Sequence, residues 1–288
     1  MTNTTGGLVM LKEMLEKLPP SEKKIASYIL TNPRASVSCT TSELGQLSQT
    51  SSAAVIRLCK SLGLKGFQEL KLKVVGDLQK NVEEGYRDIQ PNETHASVLE
   101  KMTNNSIQSL KETAEVLHLS ELSKSVEALQ KAETVHFFGV GASGIIAKDA
   151  QQKFLRINKK ATAFSDLHMV AMLVGNVKPE DVVVGISFSG ETTEVAHILE
   201  LANKKGATTI GLTKYGSSKV SDQANVKLYT SASKEATFRS GATSSRLAQL
   251  HVLDILFMCV ASTQYEESIQ YLDESRNAIQ YIRQKQRK

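Results

Sequence analysis

Residues 181–194 carry an apolar run, Val182 to Ile186, straight into a loop of four hydroxyls and one glycine: Ser187, Ser189, Gly190, Thr192 and Thr193. The run suits an interior parallel strand, and the hydroxyls then fall where the next helix begins. A helix N-terminus presents unpaired N–H groups and a partial positive charge, and short hydroxyls add donors without bulk. Phosphate fits such a cradle. Ser and Thr are also the usual N-caps, so an anion cradle and an ordinary capped turn stand as equal readings of this segment alone.

A second loop is chemically similar. Gly139-Val140-Gly141-Ala142-Ser143-Gly144 follows the strand-like Thr134 to Phe138, and its glycines satisfy G-x-G-x-x-G, the dinucleotide-binding pattern. That pattern asks for an acidic residue about twenty positions later. Asp166 comes too late and beyond its strand, and a second hydroxyl-rich loop has no role in such a site. No dinucleotide or other cofactor is expected.

The remaining reactive residue types form no constellation. His251 stands among Leu250, Val252 and Leu253 and reads as a packed helical histidine. His168 and His197 lack an acidic partner at a telling spacing, and His95, His118 and His136 fall at linker, helix-end and strand positions. No Ser-His-Asp order and no metal cluster emerges. Cys39, Cys59 and Cys259 are odd in number and scattered, which argues against a disulfide framework and a zinc site. They read as small core residues.

Alternating elements position the two loops. Strands are expected at Thr134 to Phe138, Ala161 to Phe164, Asp181 to Ile186, Thr208 to Thr213 and Lys227 to Tyr229, with helices at 145–157, 166–174 and 192–205 between them. Such alternation implies a parallel sheet covered on both faces, and these sheets bind ligands at the carboxyl ends of their strands. Two amphipathic helices, 96–117 and 120–131, lead into it.

The head of the chain is different. Leu8, Leu11, Leu15 and Leu18 lie at helical spacing, Pro19-Pro20-Ser21 starts a second helix with Ile25, Tyr28 and Ile29 inward, and Asn32-Pro33 ends it. A short helix at 41–48, a turn of about three residues and a helix at 52–62 match helix-turn-helix spacing. Val55, Leu58, Cys59 and Leu62 would face inward. Ser51, Ser52, Arg57 and Lys60 would meet a major groove, with Lys65, Lys71 and Lys73 at DNA-backbone distance. A three-helix bundle with a solvated basic face is the other reading.

Charge separates the same regions. The net charge of +5 lies entirely in residues 1–80, which hold 11 Lys/Arg against 6 Asp/Glu, while residues 81–288 balance at 24 against 24. A basic head on a neutral body suggests a nucleic-acid module joined to something else. The fold class expected is an N-terminal all-α helix-turn-helix domain followed by a doubly wound parallel-sheet α/β domain. Its divisions are 1–78, a linker at 79–95, the α/β domain with its leading helices at 96–264, and a C-terminal helix with a basic tail at 265–288. The N-terminus lacks the charged and apolar regions of a signal peptide, and no run of about 18 apolar residues is present. A cytoplasmic location without membrane contact is expected.

Gly-Val-Gly-Ala-Ser at 139–143 and Ser-Phe-Ser-Gly-Glu-Thr-Thr at 187–193 together resemble the phosphosugar-binding loops of the sugar isomerase (SIS) domain family. The segments 18–26 (LPPSEKKIA) and 57–67 (RLCKSLGLKGF) are similar to the RpiR/MurR-type regulators, which fuse a helix-turn-helix to that domain. The resemblance implies phosphate held by Ser187, Ser189, Gly190 and Thr192, with Gly141 and Ser143 beside them and Glu235 accepting from a sugar hydroxyl. It implies no catalytic residue, a double-stranded DNA operator and a phosphosugar effector, with N-acetylmuramic acid 6-phosphate the first guess. A homodimer or higher homo-oligomer is also implied. This chain departs from the family where a glycine is usual near Gln49, a valine near Thr50 and a threonine near Ala54. The alternative is a sugar-phosphate isomerase or etherase using Glu235 as its acid-base group.

Overall fold

The computed structural model describes residues 5–78, 89–231 and 243–285. The chain divides into two compact units, Met1–Leu119 with Tyr229–Arg239, and Ser120–Leu228 with Ser240–Lys288.

The first unit is helical: α1 (Gly7–Met14), α2 (Pro20–Thr31), α3 (Pro33–Ser38), α4 (Thr41–Leu47), α5 (Ser52–Ser61), α6 (Phe67–Leu78) and α7 (His95–Val116). Proline sets its punctuation. Pro20 and Pro33 occupy first turns, where a missing N–H costs nothing, so Asn32-Pro33 ends α2 and opens the short α3, a helix not expected from the sequence. Val55, Leu58, Cys59 and Leu62 are all fully buried, as their spacing predicts. Burial pushes the Cys59 thiol up to about 11. In α1 the buried stripe is Met10, Leu11 and Met14, displaced from the expected Leu8 and Leu15, which are only half-buried. Tyr28, expected inward, is half-buried as well. Helix α7, expected as a leader to the α/β domain, falls in this unit and packs on α1. Most of the expected linker, 79–88, lies outside the described residues.

The second unit is built on a five-stranded sheet. After α8 (Leu119–Lys131) come β1 (Thr134–Gly139), α9 (Ala142–Arg156), β2 (Lys160–Thr162), α10 (Leu167–Val174), β3 (Val182–Ile186), α11 (Thr193–Lys204), β4 (Thr208–Lys214), α12 (Lys219–Asp222), β5 (Val226–Thr230), α13 (Thr243–Thr263) and α14 (Tyr265–Lys285). The strand order is β2-β1-β3-β4-β5, with β1 parallel to β2 and β3, and β3 parallel to β4. Adjacent phenylalanines show how both faces are covered, since neighbouring strand residues point opposite ways. Phe138 joins the cluster of Val170, Val174, Val195, Leu199 and Val220 from α10, α11 and α12. Phe137 packs on Phe154 of α9, which meets Phe257 of α13 edge to face. The sheet is therefore doubly wound.

Among the described residues, α13 is the one helix long and apolar enough to cross a membrane by length and composition. It packs on α9 and α14 and buries Ala248, Val252, Leu253 and Leu256 as a core helix does.

Candidate functional site

Two strand ends that bear hydroxyl loops lie side by side in the second unit, because β1 and β3 pair in register through Gly139 and Ile186. At the first, α9 begins at Ala142, three residues earlier than its periodicity suggests, so the expected loop shrinks to a tight turn. Gly141 caps the helix with a φ of +59°. Gly139 has no room for a side chain, since a β-carbon there would lie 2.7 Å from the Ser143 backbone. That closeness puts Ser143 in the first turn of α9, 8% exposed, with its Oγ accepting from Gln249 Nε2 at 3.2 Å.

At the second, Ser187 is 2% exposed and its hydroxyl lies 2.8 Å from that of Thr192. The Gly190 N–H donates to Ser187 Oγ at 3.2 Å. Thr192 is the N-cap of α11, yet its side chain makes no capping hydrogen bond. The first-turn amides of α11 therefore receive no hydroxyl from their own cap, unlike those of α5, where Ser51 Oγ accepts from Ala54 N–H. Ser189 and Thr193 are exposed, and Ser189 Oγ accepts from the Glu191 N–H at 3.2 Å. The loop thus has an inner layer, Ser187 and Thr192, that holds its shape, and an outer layer open to solvent.

A third strand end, not singled out in the sequence, supports the second. Gly190 adopts φ +73°, the left-handed region, with Ser218 directly against it. Ser218 opens α12 with a capping box to Ser221. Backbone hydrogen bonds from Lys214 to Phe188 and from Val220 to Gly190 tie the two loops together. The run Tyr215-Gly216-Ser217-Ser218 carries the same strand-glycine-hydroxyl signature as the other two loops, so the signal was present. Gln249 gave none, because an amide inside a helix looks like any polar position. Glu235 lies outside the described residues. Asp166, set aside in the dinucleotide reading, caps α10 by accepting from the Met169 N–H at 2.9 Å.

In the helical unit, α4 and α5 form the expected pair. The Thr40 hydroxyl and Glu43 carboxylate make a reciprocal capping box at α4, and this bonding holds the Glu43 carboxyl below the usual carboxylate range. The intervening turn is closed by Thr50 N–H donating to the Gly45 carbonyl at 2.7 Å, with Gln49 at φ +53°. Ser52, Lys60 and Lys65 are exposed, and Ser51 is exposed while capping α5. Arg57 is 56% exposed, but its Nε lies 3.8 Å from the buried Glu22 carboxylate of α2, which also accepts from Ser61 Oγ at 2.7 Å.

Lys73 departs from expectation. It is 6% exposed, and its Nζ donates to the Thr5 carbonyl at 3.1 Å, so it does not lie at the surface where a DNA phosphate would be met. Burial lowers its pKa, while Glu69, Asp77 and Glu115 oppose that shift. The helical periodicity of α6 puts residue 73 beside the buried Leu70 and Val74. Lys71 is half-buried, bonded to the Cys39 carbonyl at 3.3 Å and stacked over the Phe67 ring.

Two family models match this chain: the helix-turn-helix domain of the rpiR family over residues 5–81 and the SIS domain over residues 128–259. A Bacillus subtilis (strain 168) protein described as the uncharacterized HTH-type transcriptional regulator YbbH is 53% identical over 279 residues, covering 97% of this chain and 99% of its own. Among solved structures, the Vibrio vulnificus NanR protein complexed with ManNAc-6P superposes with a TM-score of 0.60 at 27% identity, covering 96% of this chain and 98% of NanR. The sugar isomerase domain of an RpiR transcription factor from Sphaerobacter thermophilus gives a TM-score of 0.58 at 20% identity over 63% of this chain and 99% of that one, and shares its fold.

Proposed function

Since the chain belongs to the rpiR family of helix-turn-helix transcriptional regulators that carry a SIS domain, we propose that a phosphosugar held at the strand ends of its α/β unit sets its affinity for a double-stranded DNA operator. The observation that carries the effector half is Thr192. A residue at an N-cap position that spends its hydroxyl on Ser187 leaves helix amides for another acceptor, which favours the anion cradle over the capped turn. Ser143, Ser187, Ser189, Gly190 and Thr192 are the proposed ligand contacts, with Gly141 shaping the turn. Ser51, Ser52, Arg57, Lys60 and Lys65 form the proposed DNA face.

The division proposed is a helix-turn-helix domain to residue 78, a linker to 95, α7 as a helix packed on the helix-turn-helix unit, and the sensor domain from α8 onward, in a cytoplasmic homodimer or higher homo-oligomer. A phosphosugar that favours one arrangement of two subunits changes the spacing of their recognition helices against about one DNA turn. A coupling of roughly 1–3 kcal/mol alters operator affinity about 5- to 150-fold. N-acetylmuramic acid 6-phosphate and ManNAc-6P, the ligand of NanR, are the first effectors to try.

A thermal-shift screen tests the reading, using N-acetylmuramic acid 6-phosphate, ManNAc-6P, glucosamine 6-phosphate, ketose phosphates and inorganic phosphate. Ligand at about 100 times its Kd adds roughly 2.7 kcal/mol. Ser187→Ala with Ser189→Ala should abolish the shift and keep DNA binding; a retained shift moves the pocket elsewhere. The enzyme reading gains the upper hand if the protein turns over a sugar phosphate in a manner that depends on Glu235.

A further inference from the structure

Gln249 lies in the second turn of α13 and is 1% exposed, in a helix face otherwise made of Ser245, Ala248, Val252, Leu253 and Leu256. A buried primary amide has two N–H donors and a carbonyl to satisfy, so its partner is informative. Among the described residues that partner is Ser143. Gln249 Nε2 stands 3.2 Å from Ser143 Oγ, whereas Oε1 stands 3.5 Å away, at the edge of hydrogen-bonding distance.

The shorter contact favours the serine oxygen as acceptor over the longer one, in which the serine O–H would donate to Oε1. A hydroxyl has one proton to give, and one that accepts from an amide N–H keeps that proton for something else. An accepted hydrogen bond also polarises the O–H and strengthens its own donation. Ser143 sits in the first turn of α9, directly after the Gly139–Gly141 turn, where an anionic ligand would need a donor.

We infer that Gln249 is a positioning residue for the sensor site: by donating to Ser143 Oγ, it aims the serine proton at the bound phosphosugar. The inference rests on the phosphosugar reading above and adds a residue outside all three loops. It also makes α13 a participant in binding, since the bond that orients Ser143 starts from that helix.

The sign of the effect separates this role from simple packing. Gln249→Met removes the donor and leaves similar bulk. Gln249→Glu is nearly isosteric but, when ionised, accepts the Ser143 proton and turns the hydroxyl from donor to ligand into donor to protein. Protonation of that carboxyl restores an O–H.

The test is isothermal titration of the full chain with the tightest-binding sugar phosphate of the panel above, with inorganic phosphate run beside it. Gln249→Met should weaken binding about tenfold. Gln249→Glu should weaken it further at about pH 8 and recover toward wild type at about pH 6, each value taken relative to wild type at the same pH so that the ligand's own titration cancels. In a Ser143→Ala background, Gln249→Met should change Kd by about twofold or less, because the residue acts through the hydroxyl. An equal loss in both backgrounds, or a Glu variant that binds as well as the Met variant across the pH range, overturns the inference. If wild type binds neither any panel member nor inorganic phosphate, the phosphosugar reading itself fails, which is a different result. Circular dichroism confirms that each variant is folded, and the Met variant carries the cycle if the Glu variant is not.

Discussion

Gly190 rests on Ser218 so closely that a β-carbon on the glycine would lie 2.2 Å from the serine hydroxyl oxygen. Ser218 cannot simply swing aside. Its hydroxyl accepts from the Ser221 N–H, its own N–H donates to Ser221 Oγ at 2.8 Å, and Val220 N–H holds the Gly190 carbonyl at 2.9 Å. The turn after β4 is thus the support on which the hydroxyl loop after β3 lies.

Gly190→Ala meets both a left-handed backbone and this contact. It should cost roughly 2–4 kcal/mol in denaturant unfolding and remove phosphosugar stabilisation. Gly206→Ala is the control, because φ there is +84° but the nearest atom, Pro179 Cγ, would be 3.6 Å from the new β-carbon. It should cost about 1–2 kcal/mol, the backbone part alone, and keep the ligand response. Equal losses at the two glycines would show that Ser218 yields.

The turn between α4 and α5 holds Gln49 at φ +53°. A non-glycine residue there bears strain of about 1–2 kcal/mol, which glycine removes at an entropic cost of roughly 0.5–1 kcal/mol. Gln49→Gly should therefore stabilise the helical unit by about 0.5–1 kcal/mol, seen as a higher melting temperature. A lower one would mean that the Gln49 side chain holds the turn together.

Lys60 and Lys73 separate exposed from buried charge. Lys60→Ala should weaken operator binding and reduce the salt slope, d log K against d log salt, by about 1. Lys73→Met should leave both unchanged, since its Nζ already donates to the Thr5 carbonyl. Fluorescence anisotropy across a salt series checks this. An altered slope for Lys73→Met would return that lysine to the DNA face.

His136 gives a pH dependence. Burial lowers its pKa, and Asp181, 4.0 Å from Nε2, only partly offsets the shift. The ring also bonds Thr162 Oγ1 at 2.9 Å. Because the folded pKa is depressed, the unfolded chain takes the proton first. The contribution to stability is complete above the unfolded value of about 6.5 and is lost as pH falls through the folded value. His136→Gln should flatten the decline in urea midpoint between about pH 7.5 and pH 5.5. An unchanged decline would place the acid sensitivity in other groups.

Strands and helices were legible because apolar runs and hydroxyl or proline punctuation report the local backbone directly. The order β2-β1-β3-β4-β5 followed from alternation only in class, since pairing is decided by packing of both faces. Ser187 and Thr192 were visible as residue types, but their mutual hydrogen bond depends on a turn geometry that only Gly190 and Ser218 together define. Lys73 was misplaced for a related reason. Charge suggested the surface, whereas its position between Leu70 and Val74 put it inward, where a carbonyl could take its ammonium. Gln249 was invisible because its role depends on Ser143, 106 residues away.

The helical unit keeps its described thiols, Cys39 and Cys59, buried. With its pKa near 11, Cys59 carries only about one thiolate per ten thousand molecules at neutral pH, and the thiolate is the form that oxidants and alkylating agents attack. The Cys39 thiol is turned to the Ala35 carbonyl at 3.3 Å. Neither thiol of the module that would meet DNA is therefore well placed to react with a peroxide or an electrophile.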